Sequence, residues 1–253
     1  MDLGLKGLRA IVTGGSKGIG RRVADMLADE GCHVGICARN EDEVEATVGE
    51  LKAKGVEAFG GAIDVTDKAA LEGWVGTSAK ALGGIDIVVA NVSALAMEDD
   101  EEGWRKQYET DMLHTVRTVT TAMPYLQASK KASITVVSSV SGREIDFTGP
   151  AYGTMKAALI HYAHRLACKL APEMIRVNSV SPGNVYFEGG IWQWIEENNP
   201  ELFKEALSLN PTGRMATAEE VGRGIVFLAS PASSFTTGTN LVIDGALTKG
   251  VQL

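Results

Sequence analysis

The chain is short of cysteine, proline, aromatic residues and positive charge, and each shortage excludes something. Three cysteines in 253 residues are an odd number, and Cys32 and Cys37 sit on or beside one expected strand at a separation that turns them to opposite faces. A disulfide framework is therefore excluded, and free thiols in a reducing cytoplasm are expected. Seven prolines beside 29 glycines exclude a proline-rich or collagen-like chain and leave tight turns as the use of glycine. The 24 Lys and Arg face 32 Asp and Glu, a formal charge of −8, with no basic tract, so no nucleic-acid partner is expected. No apolar run approaches the ~18–20 residues of a membrane span. The first residues, carrying Asp2, Lys6 and Arg9, do not read as a signal peptide, and a cytoplasmic location without a membrane partner is expected.

What the chain has is a regular alternation. Apolar, β-branched runs at 8–13, 33–38, 56–62, 85–91, 133–139, 175–180 and 240–243 read as seven strands, separated by stretches of helical period. Residues 18–30 place Ile19, Val23 and Leu27 on one helical face, and 40–54 opens with an Asn-x-x-Glu capping pattern at Asn40 and Glu43. Residues 67–82 follow the same rhythm, and the acidic run 98–102 reads as a solvated helix start. Such alternation requires a parallel sheet with helices on both faces. Nothing resembling a linker or repeat divides the chain, so residues 1–253 are expected to form one α/β, doubly wound, Rossmann-type domain.

Two stretches carry chemistry. The run Thr13-Gly14-Gly15-Ser16-Lys17-Gly18-Ile19-Gly20 follows a strand and opens a helix, where glycines let the backbone approach a pyrophosphate and the helix start offers free N–H groups. Tyr152 and Lys156 share a helical face, so the ammonium can stabilise the phenolate and let the phenol exchange a proton near neutrality. Ser139, at the end of the fifth expected strand, can add a hydrogen bond to a carbonyl oxygen. Either stretch alone has a bland alternative: a structural turn, or a Tyr packed beside a surface Lys.

Together they make the sequence resemble the short-chain dehydrogenase/reductase family, in its branch of about 250 residues, from about Leu5 to Val251. The other matching pieces are Asp64-Val65, Pro182-Gly183, Gly213-Arg214, Glu219-Glu220-Val221 and Asp244-Gly245. The resemblance implies a seven-stranded sheet in the order 3-2-1-4-5-6-7, a nicotinamide cofactor across its carboxyl edge, a small-molecule substrate and a homotetramer. It implies reversible hydride transfer between ketone and secondary alcohol, with Tyr152 as general acid, Ser139 polarising the carbonyl and Lys156 also bonding the ribose. It assigns Gly14, Ser16, Gly18, Ile19, Gly20, Asn40, Asp64, Val65, Asn91, Pro182, Gly183 and Val185 to the cofactor, and Ser141, Tyr186, Phe187 and Trp192 to the substrate.

Several positions depart from the family pattern. Asp111 stands where the family has a catalytic Asn, and an ionised Asp accepts hydrogen bonds only. It is expected to neutralise Lys156 in part and to move the pH optimum of alcohol oxidation upward, with a tolerated isostere as the alternative. Ala90-Asn91-Val92-Ser93 replaces Asn-Asn-Ala-Gly, keeping Asn91. At the end of the second strand Arg39 stands where NAD-selective members carry an acid, and with Lys17 it can grip a 2′-phosphate, so NADP(H) is expected over NAD(H). The segment 184–212 reads as an aromatic substrate lid, suited to a bulky apolar ketone or alcohol. Two other functions compete: a 3-oxoacyl-carrier-protein reductase and a low-turnover NADPH-binding sensor. His33, His114, His161 and His164 form no ligand set, so no metal is expected.

Overall fold

The computed structural model describes residues 2–250; Met1 and residues 251–253, which the expected 1–253 domain includes, lie outside the described residues. Strands and helices alternate as β1 (Arg9–Thr13), α1 (Gly18–Asp29), β2 (His33–Ala38), α2 (Glu41–Ala53), β3 (Ala58–Ala62), α3 (Lys68–Leu82) and β4 (Ile87–Ala90). The chain continues through α4 (Glu101–Gln107), a π-turn (Tyr108–Leu113), α5 (His114–Ala128), β5 (Ser133–Val137), α6 (Pro150–Leu170) and β6 (Arg176–Pro182). It ends with β7 (Val185–Tyr186), α7 (Ile191–Asn198), α8 (Pro200–Leu209), β8 (Ala216–Thr217), α9 (Ala218–Ala229) and β9 (Asn240–Ile243).

Seven strands form one parallel sheet in the order β3-β2-β1-β4-β5-β6-β9, in a Rossmann-type fold. This is the expected order, with β9 as the seventh strand, because β7 and β8 pair only with each other. Two-residue strands carry no periodicity, which is why the sequence does not announce them. Alternate residues of each strand enter opposite cores, as the period of two requires. Val12, Val34, Ile36 and Val89 pack under α1, α2 and α9, whereas Ile11, Cys37, Val88 and Ile134 pack under α3, α5 and α6. Cys32 and Cys37 accordingly fall in different cores as free thiols, and burial pushes each up to about 12.

The acidic run does start a helix: Asp100 accepts from Gly103 N–H at 2.7 Å and α4 begins at the next residue. The capping pattern at residue 40 is only half realised. Asn40 accepts from Glu43 N–H at 3.2 Å, but the Glu43 carboxylate turns to the glycine turn, drawn by the Lys17 ammonium. The strand order reverses between β1 and β4, so the loops after them diverge and leave a crevice at the carboxyl edge.

Candidate active site

The turn after β1 is built for close approach. Gly14 and Gly18 have φ of +66° and +54°, and a side chain on Gly20 would run into the Gly14 carbonyl. Cys37 O receives the N–H of Gly14 at 2.8 Å, and the Asn91 amide donates to Thr13 O at 3.2 Å, fixing the turn between β2 and β4. Where Asn40, Asp67, Asp100 and Thr217 cap their helices by a side chain, α1 starts at Gly18 with no side-chain cap from Lys17 before it and no acid in its first turn. Its first N–H groups therefore suit a pyrophosphate, and the residues present fit a dinucleotide. A cleft of about 700 Å³ opens here, with Gly14, Ser16, Lys17, Arg39, Asn40, Asp64 and Val65 among its walls. Gly18, Ile19 and Gly20 begin α1, Pro182 ends β6 with Gly183 after it, and Val185 is buried in β7.

The residues expected to handle the proton, Ser139, Tyr152 and Lys156, gather at the end of β5 and the start of α6. A side chain on Gly142 would meet Lys156 backbone at 2.6 Å, so the short turn after Ser139 lies directly on the helix that carries Tyr152 and Lys156. Ser138 Oγ donates to Lys156 O at 2.7 Å and pins that helix to the strand end. Lys156 Nζ lies 5.5 Å from the Tyr152 ring centroid, donates to Val137 O at 3.3 Å and stands 2.9 Å from Asp111 Oδ2. Both partners of this ion pair are buried, at 2% and 0% side-chain exposure. Burial works against the ammonium, but the Asp111 carboxylate and the Tyr152 oxygen outweigh it and hold Lys156 above its ordinary value.

Asp111 reaches this position because the π-turn between α4 and α5 inserts an extra residue per turn. Its Oδ1 accepts from Ala94 N–H at 2.9 Å, while Oδ2 pairs with the Lys156 ammonium at 2.9 Å and has no other donor. Ser139 Oγ donates to Ser141 Oγ at 3.1 Å, and Ser141 donates to Asp146 at 2.6 Å.

A residue without an expected role joins the two halves. His114 is fully buried; its Nδ1 meets the Thr110 carbonyl and its Nε2 the Thr13 hydroxyl, both at 2.9 Å. Thr110 O can only accept, so Nδ1 carries the proton and Thr13 donates to Nε2. Burial lowers the imidazole to about 4 against the pull of Asp111 and Thr110, which keeps it neutral. Thr13 Oγ1 in turn accepts from Asn91 N–H at 3.0 Å, so a chain of bonds runs from the helix of Asp111 to the glycine turn. In the sequence His114 stands between Thr110, Asp111 and Thr118 at helical spacing, a pattern that does not name Thr13 as its partner.

A second cavity, of about 400 Å³, lies beside Val140 and is walled by Ile145, Phe147, Leu202, Leu209 and Leu247 together with Glu144, Asp146 and Glu205. The aromatic residues assigned to substrate stand elsewhere. Trp192 packs edge-on to Phe147 and Phe203 at 5.5 and 6.4 Å, Tyr186 donates to Glu196 at 2.6 Å, and Phe187 lies across Gly18. None of the four lines this cavity, though Ser141 touches its wall through Asp146 and Trp192 through Phe147. Among the described residues no cluster of metal-binding side chains occurs, and no helix is long and apolar enough to cross a membrane.

Comparison with known proteins agrees with this arrangement. The family model described as enoyl-(acyl carrier protein) reductase matches residues 14–248. Isoepoxydon dehydrogenase of Penicillium expansum is 39% identical over 100% of this chain and 99% of its own. Among solved structures, L-sorbose reductase of Gluconobacter frateurii, complexed with NADPH and L-sorbose, superposes with a TM-score of 0.91 at 28% identity, covering 99% of this chain and 100% of its own. A 7α-hydroxysteroid dehydrogenase complexed with NADH and 7-oxo glycochenodeoxycholic acid superposes with a TM-score of 0.89 at 25% identity, covering 97% and 96%. With the expected sheet order, the glycine turn at its switch point and the match across nearly the whole chain, this protein belongs to the short-chain dehydrogenase/reductase family and is an oxidoreductase of that family.

Proposed function

We propose that the protein interconverts a ketone and a secondary alcohol with NADP(H) as the preferred cofactor. The observation that carries this reading is the buried Lys156 set beneath Tyr152 with Ser139 beside it at the strand end. When bound, the nicotinamide supplies or accepts the hydride. Tyr152 then gives its proton to the developing oxyanion, and Ser139 leaves its 3.1 Å bond to Ser141 to donate to the same oxygen. Lys156, held as an ammonium, favours the phenolate left behind, and Asp111 moderates that charge. Lys17 and Arg39 in the dinucleotide cleft support NADP(H), although the solved neighbours bind NADPH in one case and NADH in the other.

Segment 184–212 acts as the lid of one domain, with Tyr186, Trp192 and Phe203 packed in a small core of its own. The 400 Å³ cavity fits a substrate with an apolar body and hydroxyl donors for the rim carboxylates. Neighbours acting on a sugar and a steroid show that the fold alone does not choose the substrate. An acyl-carrier substrate is opposed by the same rim, where Glu144, Asp146 and Glu205 outnumber Lys249 and repel an acidic carrier. The test is the initial rate of NADPH and, in parallel, NADH oxidation with a bulky aryl ketone, a small ketone and a 3-oxoacyl thioester. Faster turnover of the bulky ketone with NADPH is expected. Binding of NADPH with no turnover of any ketone contradicts the reading and favours a sensor.

A further inference from the structure

Glu43 stands in the first turn of α2, inside the dinucleotide cleft, yet neither the capping pattern nor the fold requires its carboxylate there. One oxygen lies 2.7 Å from Lys17 Nζ and the other accepts from Ser16 Oγ at 3.2 Å. These are two of the groups that would face the adenosine ribose. Lys17 is 60% exposed and Glu43 30%, so the pair is a solvated one that a competing anion can open. Arg39, on the same wall, has no carboxylate within ion-pair distance among the described residues. The wall thus holds Lys17, closely paired with Glu43, and Arg39, whose charge acts on Asp64 only from beyond ion-pair distance.

We propose that Glu43 sets the balance between NADP(H) and NAD(H) in this protein, as the built-in counter-ion that a 2′-phosphate must displace and a 2′-hydroxyl need not. This rests on the reading of the cleft as a nicotinamide dinucleotide site. A dianionic 2′-phosphate between Arg39 and Lys17 comes against the Glu43 carboxylate, and like charges at this range repel. A ribose hydroxyl meets no such repulsion and can donate to the carboxylate while Lys17 stays paired. Because Lys17 is exposed and flexible, its prior fixation by Glu43 contributes little, so removal of the charge outweighs loss of the pair. Glu43 therefore narrows a preference that Arg39 and Lys17 alone would make wide.

The test is equilibrium titration of the full chain and of Glu43→Gln with NADPH and with NADH, read by nicotinamide fluorescence at low and physiological salt. Glutamine keeps an acceptor for Ser16 and a helix-compatible side chain. The expected result is a dissociation constant for NADPH about three- to tenfold lower in the variant at low salt, a smaller gain at higher salt, and a change below about twofold for NADH. An unchanged or weaker NADPH affinity, or equal changes for both dinucleotides, overturns the proposal. A parent chain that prefers NADH overturns the NADP(H) preference but leaves this test standing, since it reads the variant's ratio against the parent's. Failure of the parent to bind either dinucleotide overturns both.

Discussion

Two buried carboxylates hold a cation at opposite edges of the same sheet, and they are built differently. At the amino edge Asp86 accepts from Arg9 N–H at 2.9 Å and Arg9 Nε at 2.7 Å on one oxygen, and from Arg9 Nη2 at 2.8 Å and the Ser129 hydroxyl at 2.5 Å on the other. Burial alone would raise this carboxyl, but the Arg9 and Ser129 bonds hold it below the ordinary value. At the carboxyl edge Asp111 has two donors, Ala94 N–H on one oxygen and the Lys156 ammonium on the other. A bidentate, fully donated pair locks strands together. A pair with capacity left over can trade partners during a proton transfer, at a cost in stability. The comparison teaches that the same ion-pair chemistry can fill a carboxylate with four donors or leave it with two, and only the second leaves room for a change of partner.

The sharpest way to break this contrast is to remove the proton donor. Tyr152→Phe is expected to lower kcat/KM by about 10²–10⁴-fold while dinucleotide binding and the melting temperature stay near those of the parent; near-normal turnover would undo the assignment. At the other edge Asp86→Ala leaves the Arg9 guanidinium, itself 31% exposed, without its carboxylate. About 3 kcal/mol of unfolding free energy should be lost in a urea titration, with kcat/KM at 25 °C changed less than about twofold; a loss of activity without a loss of stability would reverse the roles of the two edges.

A third prediction uses pH. His114 is lowered from 6.5 to about 4 in the folded chain, so the unfolded chain binds the extra proton between those values. Its contribution to stability is full above about pH 6.5 and is lost as pH falls toward 4, by roughly 1–3 kcal/mol. Asp86, whose folded value is depressed below 3.8, loses its contribution only at lower pH. His114→Gln should flatten the stability profile between pH 6.5 and 4 and leave the steeper fall below it; an unchanged slope in that window would show that the imidazole is not the group responsible.

Much of this architecture is legible in the sequence because it rests on periodicity. Apolar, β-branched runs separated by stretches of helical period give the parallel sheet, and the glycines at 14, 18 and 20 mark a turn that only residues without a side chain can make. Tyr152, Lys156 and Ser139 are legible by spacing, and the substitution Asp111 by position within the family pattern. What stays hidden depends on contacts distant in sequence. His114 meets Thr13 across 101 positions, and Glu43 meets Lys17 against its own local capping pattern. The aromatic lid is legible only in part: its composition is visible, but that Trp192 packs on Phe203 and Phe147 depends on how α7 folds back on α8.

The smallest expected effect on turnover tests the contrast most directly, because it removes one charge of the carboxyl-edge pair while keeping the shape of the side chain. Asp111→Asn keeps the acceptor for Ala94 N–H and removes the negative charge 2.9 Å from Lys156 Nζ. With the ammonium no longer moderated, the phenolate of Tyr152 is favoured at lower pH, so the pH–rate profile for alcohol oxidation should move down by about one unit. Superimposed profiles of parent and variant would contradict the claim that the Asp111–Lys156 pair tunes proton transfer, and would leave Asp111 as a packing residue like any other.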